Sequence, residues 1–136
     1  MPQTIIWTTR SSGPSLGTSG AYCNGGAWVN GSSREYKENI EPLASREAGQ
    51  AFSLLQPVKF NYKEGQEEQY LGFVTEDVPD LVAMKDRKGL NAMDIVALLT
   101  KVVQDQQQTL AAQREEISEL RKRMANIEKR LLREKS

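Results

Sequence analysis

The sequence contains no histidine, a single cysteine and no net charge, because 18 Lys and Arg balance 18 Asp and Glu over 136 residues. Without an imidazole, histidine-based triads and histidine metal sites are excluded. Cys23 alone can form neither an intrachain disulfide nor a thiolate cluster. We therefore expect no bound metal and no cofactor.

The zero net charge also removes the long-range field on which binding to nucleic acids or anionic membranes depends. No apolar run approaches the roughly 18 residues that a membrane-spanning helix needs. The N-terminus lacks the basic and apolar regions of a secretion signal. We expect a chain that has no nucleic-acid partner and no contact with a membrane.

Charge is almost absent from the first 33 residues, which contain only Arg10 but six of the ten glycines. The β-branched and aromatic run 5–9 predicts a strand, a Ser/Gly-rich connection follows over 11–20, and Asn24-Gly25-Gly26 predicts a hairpin turn. So few charges leave too much apolar surface for a free-standing unit. We interpret residues 1–31 as the end of a longer β-rich stalk or fibre, or as strands that pair only in an oligomer.

Residues 32–90 are charged and mix two periodicities, which indicates a compact α and β module. The segment 47–56 has a helical apolar face, with Ser45 as its expected N-cap and Pro57 as its stop. Alternation predicts strands over 58–62 and 70–74, followed by a short extended piece at 81–84. The predicted fold class is therefore α+β.

Residues 91–136 complete the chain, and 91–135 contain no glycine or proline, which predicts one helix of roughly 65 Å. Its apolar residues follow 3-4 spacing over five heptads, the pattern of a coiled coil. The predicted seam has two sets of positions. The a positions are Val96, Val103, Leu110, Ile117, Met124 and Leu131, and the d positions are Leu99, Gln106, Gln113, Leu120 and Ile127.

The flanking charges of these heptads favour a parallel, in-register bundle. In that arrangement Glu116 faces Arg121 of the neighbouring helix, and Arg123 faces Glu128, so both pairs attract. Gln106 and Gln113 are expected to set the register at some cost in stability. The seam itself does not fix the number of strands.

Ser32 and Lys37 form one of the few combinations that could provide nucleophilic catalysis in a sequence without histidine. A neutral lysine can accept the proton of a serine hydroxyl. A lysine in water, with a pKa near 10.4, is neutral in about one molecule in 2,500 at pH 7, so the role requires burial. Taken alone, a Ser five residues before a Lys is far more typical of a Ser-rich turn beside a solvated lysine.

The order of the motifs carries more information than any one of them. Ser-x-Arg-x-x-Lys-x-x-Ile spans 32–40, Leu-x-Pro-Val-x-Phe-x-Tyr spans 55–62, Gly-Phe-Val-x-Glu-x-Val-Pro spans 72–79, and the heptad helix follows. Over residues 32–135 this succession resembles the intramolecular chaperone domain of endosialidases and other phage tailspikes and tail fibres, a self-cleaving peptidase family.

The resemblance implies a C-terminal domain that forms a homotrimer, helps an upstream β-structured domain of the same polypeptide to fold, and then cuts itself off. It assigns Ser32 as nucleophile, Lys37 as general base and Gly31-Ser32 as the bond that is cut. The family pattern has Asp after the serine, where this chain has Ser33. The implied location is a virion tail of a phage or prophage, or the bacterial cytoplasm during assembly.

The sequence thus predicts an α+β chain in three zones: a β-rich stub over 1–31, a chaperone and autoprocessing module over 32–90, and a trimerisation helix over 91–136. Two alternatives remain open. One is a permanent, uncleaved trimeric knob of a fibre. The other, also from the self-processing family, is release of a trimeric transcription factor from a membrane anchor.

Overall fold

The computed structural model describes residues 22–64 and 67–136, and it has the predicted α+β architecture. The elements, in chain order, are β1 (Tyr22–Asn24), β2 (Ala27–Val29), a short 3₁₀ turn (Arg34–Tyr36), α1 (Ser45–Leu54), β3 (Val58–Phe60), β4 (Tyr70–Gly72) and α2 (Ala92–Glu134). They group into two compact units, 1–42 and 43–136. The strand predicted over 5–9 and the connection predicted over 11–20 lie outside the described residues.

The first unit contains the predicted hairpin. β1 and β2 are antiparallel, and Asn24 pairs with Ala27, so Gly25 and Gly26 alone make the turn. Both glycines have positive φ, 56° and 85°. Two positive φ angles in succession are what a two-residue hairpin turn matched to the strand twist requires.

In the second unit, the N-cap prediction for α1 was wrong. The helix begins one residue earlier, with Ala44 as its cap and no capping side chain, so Ser45 is already its first helical residue. The hydroxyl of Ser45 instead bonds to the carboxylate of Asp105 on α2. At the other end Leu55 is extended, and the helix stops before Pro57, which disfavours helical backbone at the residue directly before it.

β3 and β4 form an antiparallel pair in which Lys59 lies opposite Leu71. This confirms the predicted pairing, although each strand has three residues and is shorter than its alternating pattern suggested. The extended piece predicted at 81–84 is reduced to a single bridge between Ala83 and Leu90.

The core lies where α1 crosses the first turns of α2. Its buried residues are Ala48, Ala51, Val78, Val82 and Leu98. The half-buried residues Phe73, Ile95 and Val102 are among those that pack around them. Alanines on α1 let the two helices approach closely, so the side chain of Leu98 is buried completely, at 1% exposure.

Arg87 holds together the loop that precedes this core. Its guanidinium donates to the carbonyls of Thr75, Glu76 and Val78, at 3.4, 3.3 and 3.1 Å. It also pairs with the carboxylate of Asp80. The Thr75 hydroxyl donates back to the Arg87 carbonyl at 2.6 Å. These bonds close the Gly-Phe-Val-x-Glu-x-Val-Pro segment over 72–79 into a fixed loop.

The long helix predicted at the C-terminus is present as α2, 43 residues long. Asn91 caps it, because its side-chain oxygen accepts from the amide of Met93 at 3.0 Å and its amide group donates to Asp94 at 2.9 Å. Of its residues only Leu98 is buried. No helix in the described part of the chain is both long and apolar enough to cross a membrane.

Candidate functional site

The candidate catalytic residues lie at the two ends of a 3₁₀ turn in the first unit. The turn, Arg34–Tyr36, is closed by two backbone hydrogen bonds: the Tyr36 amide donates to the Ser33 carbonyl at 3.1 Å, and the Lys37 amide donates to the Arg34 carbonyl at 3.2 Å. Ser33 is the N-cap, and its hydroxyl accepts from the Glu35 amide at 3.3 Å. The backbone is therefore wound into a tight turn between Ser33 and Lys37.

The turn brings the two predicted residues into contact. Lys37 Nζ donates to Ser32 Oγ at 2.7 Å. The two side chains and the bond between them can bridge about 11 Å between Cα atoms. Five residues of extended chain span about 16 Å, whereas 3₁₀ backbone rises about 2 Å per residue. The contact thus depends on the turn, because an extended segment would hold the two groups apart.

The pair is open to solvent in the single chain. Ser32 and Lys37 are both exposed, and the 3₁₀ turn buries none of its residues. Lys37 itself is extended, with φ −124° and ψ 143°. Asn39 then adopts a positive φ of 52°, a conformation that Asn tolerates better than most residues. Local hydrogen bonds, rather than packing, hold this arrangement.

Chemically, the arrangement places an amine beside a hydroxyl whose oxygen is three bonds away from the amide nitrogen of its own residue. The hydroxyl of Ser32 can reach the carbonyl of Gly31 without any separate binding site, because both belong to consecutive residues. When it is neutral, the amine can accept the hydroxyl proton. A nucleophilic role for Ser32 and a base role for Lys37 stay predictions, and the contact between them is what makes the roles chemically feasible.

One residue of this site was noticed in the sequence but not assigned a role. Ser33 was remarkable there only as the residue that stands where the family pattern has Asp. In the structure it caps the turn, and Ser and Asp are both strongly preferred at N-caps because each offers a side-chain oxygen to a free amide. A Ser directly before the helical run would have indicated this role.

A second cluster, of aromatic residues, lies on the β3–β4 hairpin of the other unit. Phe60, Tyr62 and Tyr70 contact one another with ring centroids 5.2 to 6.0 Å apart. The hydroxyl of Tyr70 donates to the carboxylate of Glu68. That hydrogen bond to a neighbouring anion raises the pKa of the Tyr70 hydroxyl above its ordinary value.

The predicted seam residues lie on a different face of α2 from the residues that pack against α1. Ile95, Leu98 and Val102 face the core of their own chain. The seam runs about 100° away around the helix axis. Its nine apolar members are between 39% and 61% exposed: Val96, Leu99, Val103, Leu110, Ile117, Leu120, Met124, Ile127 and Leu131. The two glutamines of the seam, Gln106 and Gln113, are exposed as well.

An ion pair lies where α2 packs against α1. Lys101 and Asp105 are one turn apart and their charged groups are 2.9 Å apart. Bonds from Lys101, and secondly from Ser45 on α1, hold the pKa of the Asp105 carboxyl below its ordinary value. Asp105 thus connects α1 to α2.

Comparison with known protein families gives a match over part of the chain. Residues 32–86 match the family described as "Chaperone of endosialidase". The match begins at Ser32 and includes Lys37, all of α1, both strands of the β3–β4 hairpin and most of the loop closed by Arg87. No curated protein and no solved structure is similar enough to this chain to count as a match.

The family match bears on the function of the matched segment. It supports an intramolecular chaperone role in a tail-fibre context. It also confirms the resemblance that the order of the motifs indicated. The segment 32–86 is therefore similar to this chaperone family, and the long helix α2 follows it in this chain.

Proposed function

We propose that this chain is an intramolecular chaperone that forms a parallel homotrimer through α2, assists the folding of an upstream β-structured fibre or spike domain of the same polypeptide, and releases itself by cleavage of the Gly31–Ser32 bond. The observation that carries the trimer is the apolar seam, whose nine apolar residues remain about half exposed in the single chain. The observation that carries the cleavage is the 2.7 Å contact between Lys37 Nζ and Ser32 Oγ.

The seam supplies enough free energy for association. Burying a large apolar side chain completely contributes about 1.5 to 3 kcal/mol. The nine seam residues already hide about half of their surface in the single chain. Completing their burial would then contribute on the order of 7 to 14 kcal/mol per helix before entropy is subtracted. A parallel bundle brings the same residues of each copy together. The two attractive pairs between neighbouring helices, Glu116 with Arg121 and Arg123 with Glu128, favour that direction.

The proposed cleavage follows from the order of the atoms at the turn. Lys37 accepts the proton of the Ser32 hydroxyl, and Oγ attacks the carbonyl carbon of Gly31. The Gly31 C–N bond breaks, the amine of Ser32 takes up the proton, and an ester joins Gly31 to Oγ. Water then hydrolyses that ester, which leaves a carboxylate on Gly31 and a free amino terminus on Ser32.

We expect cleavage to occur only after assembly. Lysine in water gives up its proton near pH 10, so a base at neutral pH needs a drier environment than the exposed turn of one chain offers. We propose that contacts made in the trimer, or with the upstream domain, bury the pair and thereby couple cleavage to correct assembly. A cleavage profile that rises only near pH 10 in the assembled protein contradicts this coupling.

Denaturing gels of the expressed chain test the cleavage. We expect a fragment whose first residue is Ser32, identified by its N-terminal sequence, and its loss in Ser32→Ala and in Lys37→Ala. Ser53→Ala and Lys59→Ala are matched controls, because they remove an exposed hydroxyl and an exposed ammonium elsewhere in the family segment. A trimer that stays intact overturns the cleavage and supports the uncleaved trimerisation knob.

A further inference from the structure

We propose that Ser33 is the positioning residue of the Ser32–Lys37 pair: its hydroxyl caps the 3₁₀ turn and so holds Lys37 Nζ against Ser32 Oγ. The inference rests on the proposed self-cleavage and adds a residue to it. It assigns Ser33 neither a contact with the reacting carbonyl nor a proton to transfer.

The turn has little else to hold it. It consists of three residues, buries no side chain, and is closed by two backbone hydrogen bonds. Short isolated helical segments are unstable in water, because fixing their backbone costs more than their few hydrogen bonds return. The bond from the Glu35 amide to Ser33 Oγ, at 3.3 Å, satisfies a donor that the turn itself leaves free. The cap is thus one of three hydrogen bonds on which the turn depends.

Loss of the turn separates the two functional groups. Ser33 already has the extended backbone of an N-cap, with φ −61° and ψ 147°. If residues 34–36 also became extended, Ser32 and Lys37 would be farther apart than their side chains can bridge. The fraction of molecules that have the contact therefore follows the fraction in which the turn is formed.

The same reasoning explains how Ser can stand where the family pattern has Asp. Asp, Asn and Ser are about equal as N-caps, whereas Ala is much poorer. An aspartate here would accept the same Glu35 amide. The hydroxyl can perform the capping without the charge, so a carboxylate is not required for this role.

The test combines cleavage rates with a direct measurement of the contact. Replacing an N-cap by Ala lowers the equilibrium constant for forming the helix start by a factor of about 2 to 30. We expect Ser33→Ala to slow release of the Ser32 fragment by a factor in that range, and Ser33→Asn and Ser33→Asp to retain the wild-type rate within a few-fold. Ser53→Ala, which removes an exposed hydroxyl bonded only within α1, should cleave like the wild type.

A measurement of the geometry makes the inference independent of cleavage. In NMR spectra of the full chain, we expect proton contacts between the Lys37 and Ser32 side chains in wild type, Ser33→Asn and Ser33→Asp, and their loss in Ser33→Ala. If the wild type shows the contact but releases no fragment, the self-cleavage fails while the positioning stands. If Ser33→Ala keeps both the contact and the rate, or if Ser33→Asn fails to restore them, the positioning role is wrong.

Discussion

The two halves of α2 differ in what their own chain provides for them. In the first turns, Ile95, Leu98 and Val102 are covered by α1 and the loops around it, and Leu98 is buried completely. Beyond Leu110, none of the described residues outside α2 covers the helix, and its seam residues remain about half exposed. One sequence pattern would therefore serve two purposes: part of the helix completes a core within the chain, and the proposed trimer would cover the rest.

The two parts of α2 should also differ in what stabilises them: contacts within one chain for the first turns, and association between chains for the rest. The α1–α2 core should be present in each chain at any concentration. The distal helix should depend on association, because a long isolated helix with an unpaired apolar stripe lacks the tertiary packing that stabilises most protein helices. The predictions that follow test this division, from the largest effect to the smallest.

The strongest disruption is expected from charges in the distal seam. Ile117→Glu combined with Leu120→Glu places two carboxylates per chain at the centre of the bundle, where burying unpaired charge is very unfavourable. We expect the trimer to dissociate at micromolar concentration and the helical circular dichroism signal to fall. The control is Ser118→Glu with Ala125→Glu, which adds the same charge outside the seam and should remain trimeric.

Adjacent leucines in the first half of the helix distinguish the two faces. Leu98→Ala removes a completely buried side chain and should lower the free energy of unfolding by about 2 to 5 kcal/mol. Leu99→Ala, at a seam position that is 39% exposed, should act mainly by making the melting temperature depend more steeply on protein concentration. Equal effects of the two variants, with equal concentration dependence, would contradict the assignment of separate faces.

The Arg87 loop tests the intrachain core from its edge. Arg87→Ala removes three bonds to carbonyls and the pair with Asp80, and we expect about 1 to 3 kcal/mol less stability, since the side chain is partly exposed. Arg87→Lys should recover only part of this, because an ammonium cannot reproduce the planar fork of a guanidinium. The measurement is urea denaturation, with the exposed Lys85→Ala as control. An unchanged midpoint in Arg87→Ala would show that the loop does not depend on this residue.

The smallest expected effect is acid sensitivity at Asp105. Bonds from Lys101 and Ser45 lower the pKa of this carboxyl in the folded chain. Its stabilising contribution is therefore complete above the ordinary Asp value near 4 and is lost as the pH falls through the lowered folded pKa. Asp105→Asn should reduce stability near neutral pH and flatten its decline below pH 4. Parallel pH profiles for the variant and the wild type would mean that the bonds contribute nothing.

Much of the fold could be predicted because its signals are local. The α2 helix, the glycine turn at Gly25 and Gly26, and the pairing of β3 with β4 all follow from periodicity and turn residues within short windows. The heptad pattern also predicted which residues of α2 remain uncovered in a single chain, since 3-4 spacing places them on one stripe.

The sequence-based predictions were wrong or incomplete where contacts between residues that are far apart in the sequence determine the local structure. Ser45 has the identity of an N-cap, but the carboxylate of Asp105, sixty residues later in the sequence, provides a competing partner for its hydroxyl. The Arg87 loop depends on carbonyls near residue 75, and backbone acceptors leave no mark in a sequence. Residue chemistry and the resemblance suggested that Ser32 and Lys37 form a pair, but the spacing by itself does not show that the three residues after Ser33 form a tight turn.

Sedimentation equilibrium of the full-length Ser32→Ala chain, in which the proposed cleavage cannot occur, at micromolar concentration tests the central claim most directly. The account predicts a single species with three times the 15.3 kDa mass of the chain, which dissociates in the Ile117→Glu, Leu120→Glu variant. A monomer at that concentration would contradict it, because nine apolar residues would then remain exposed along a helix with nothing to cover them.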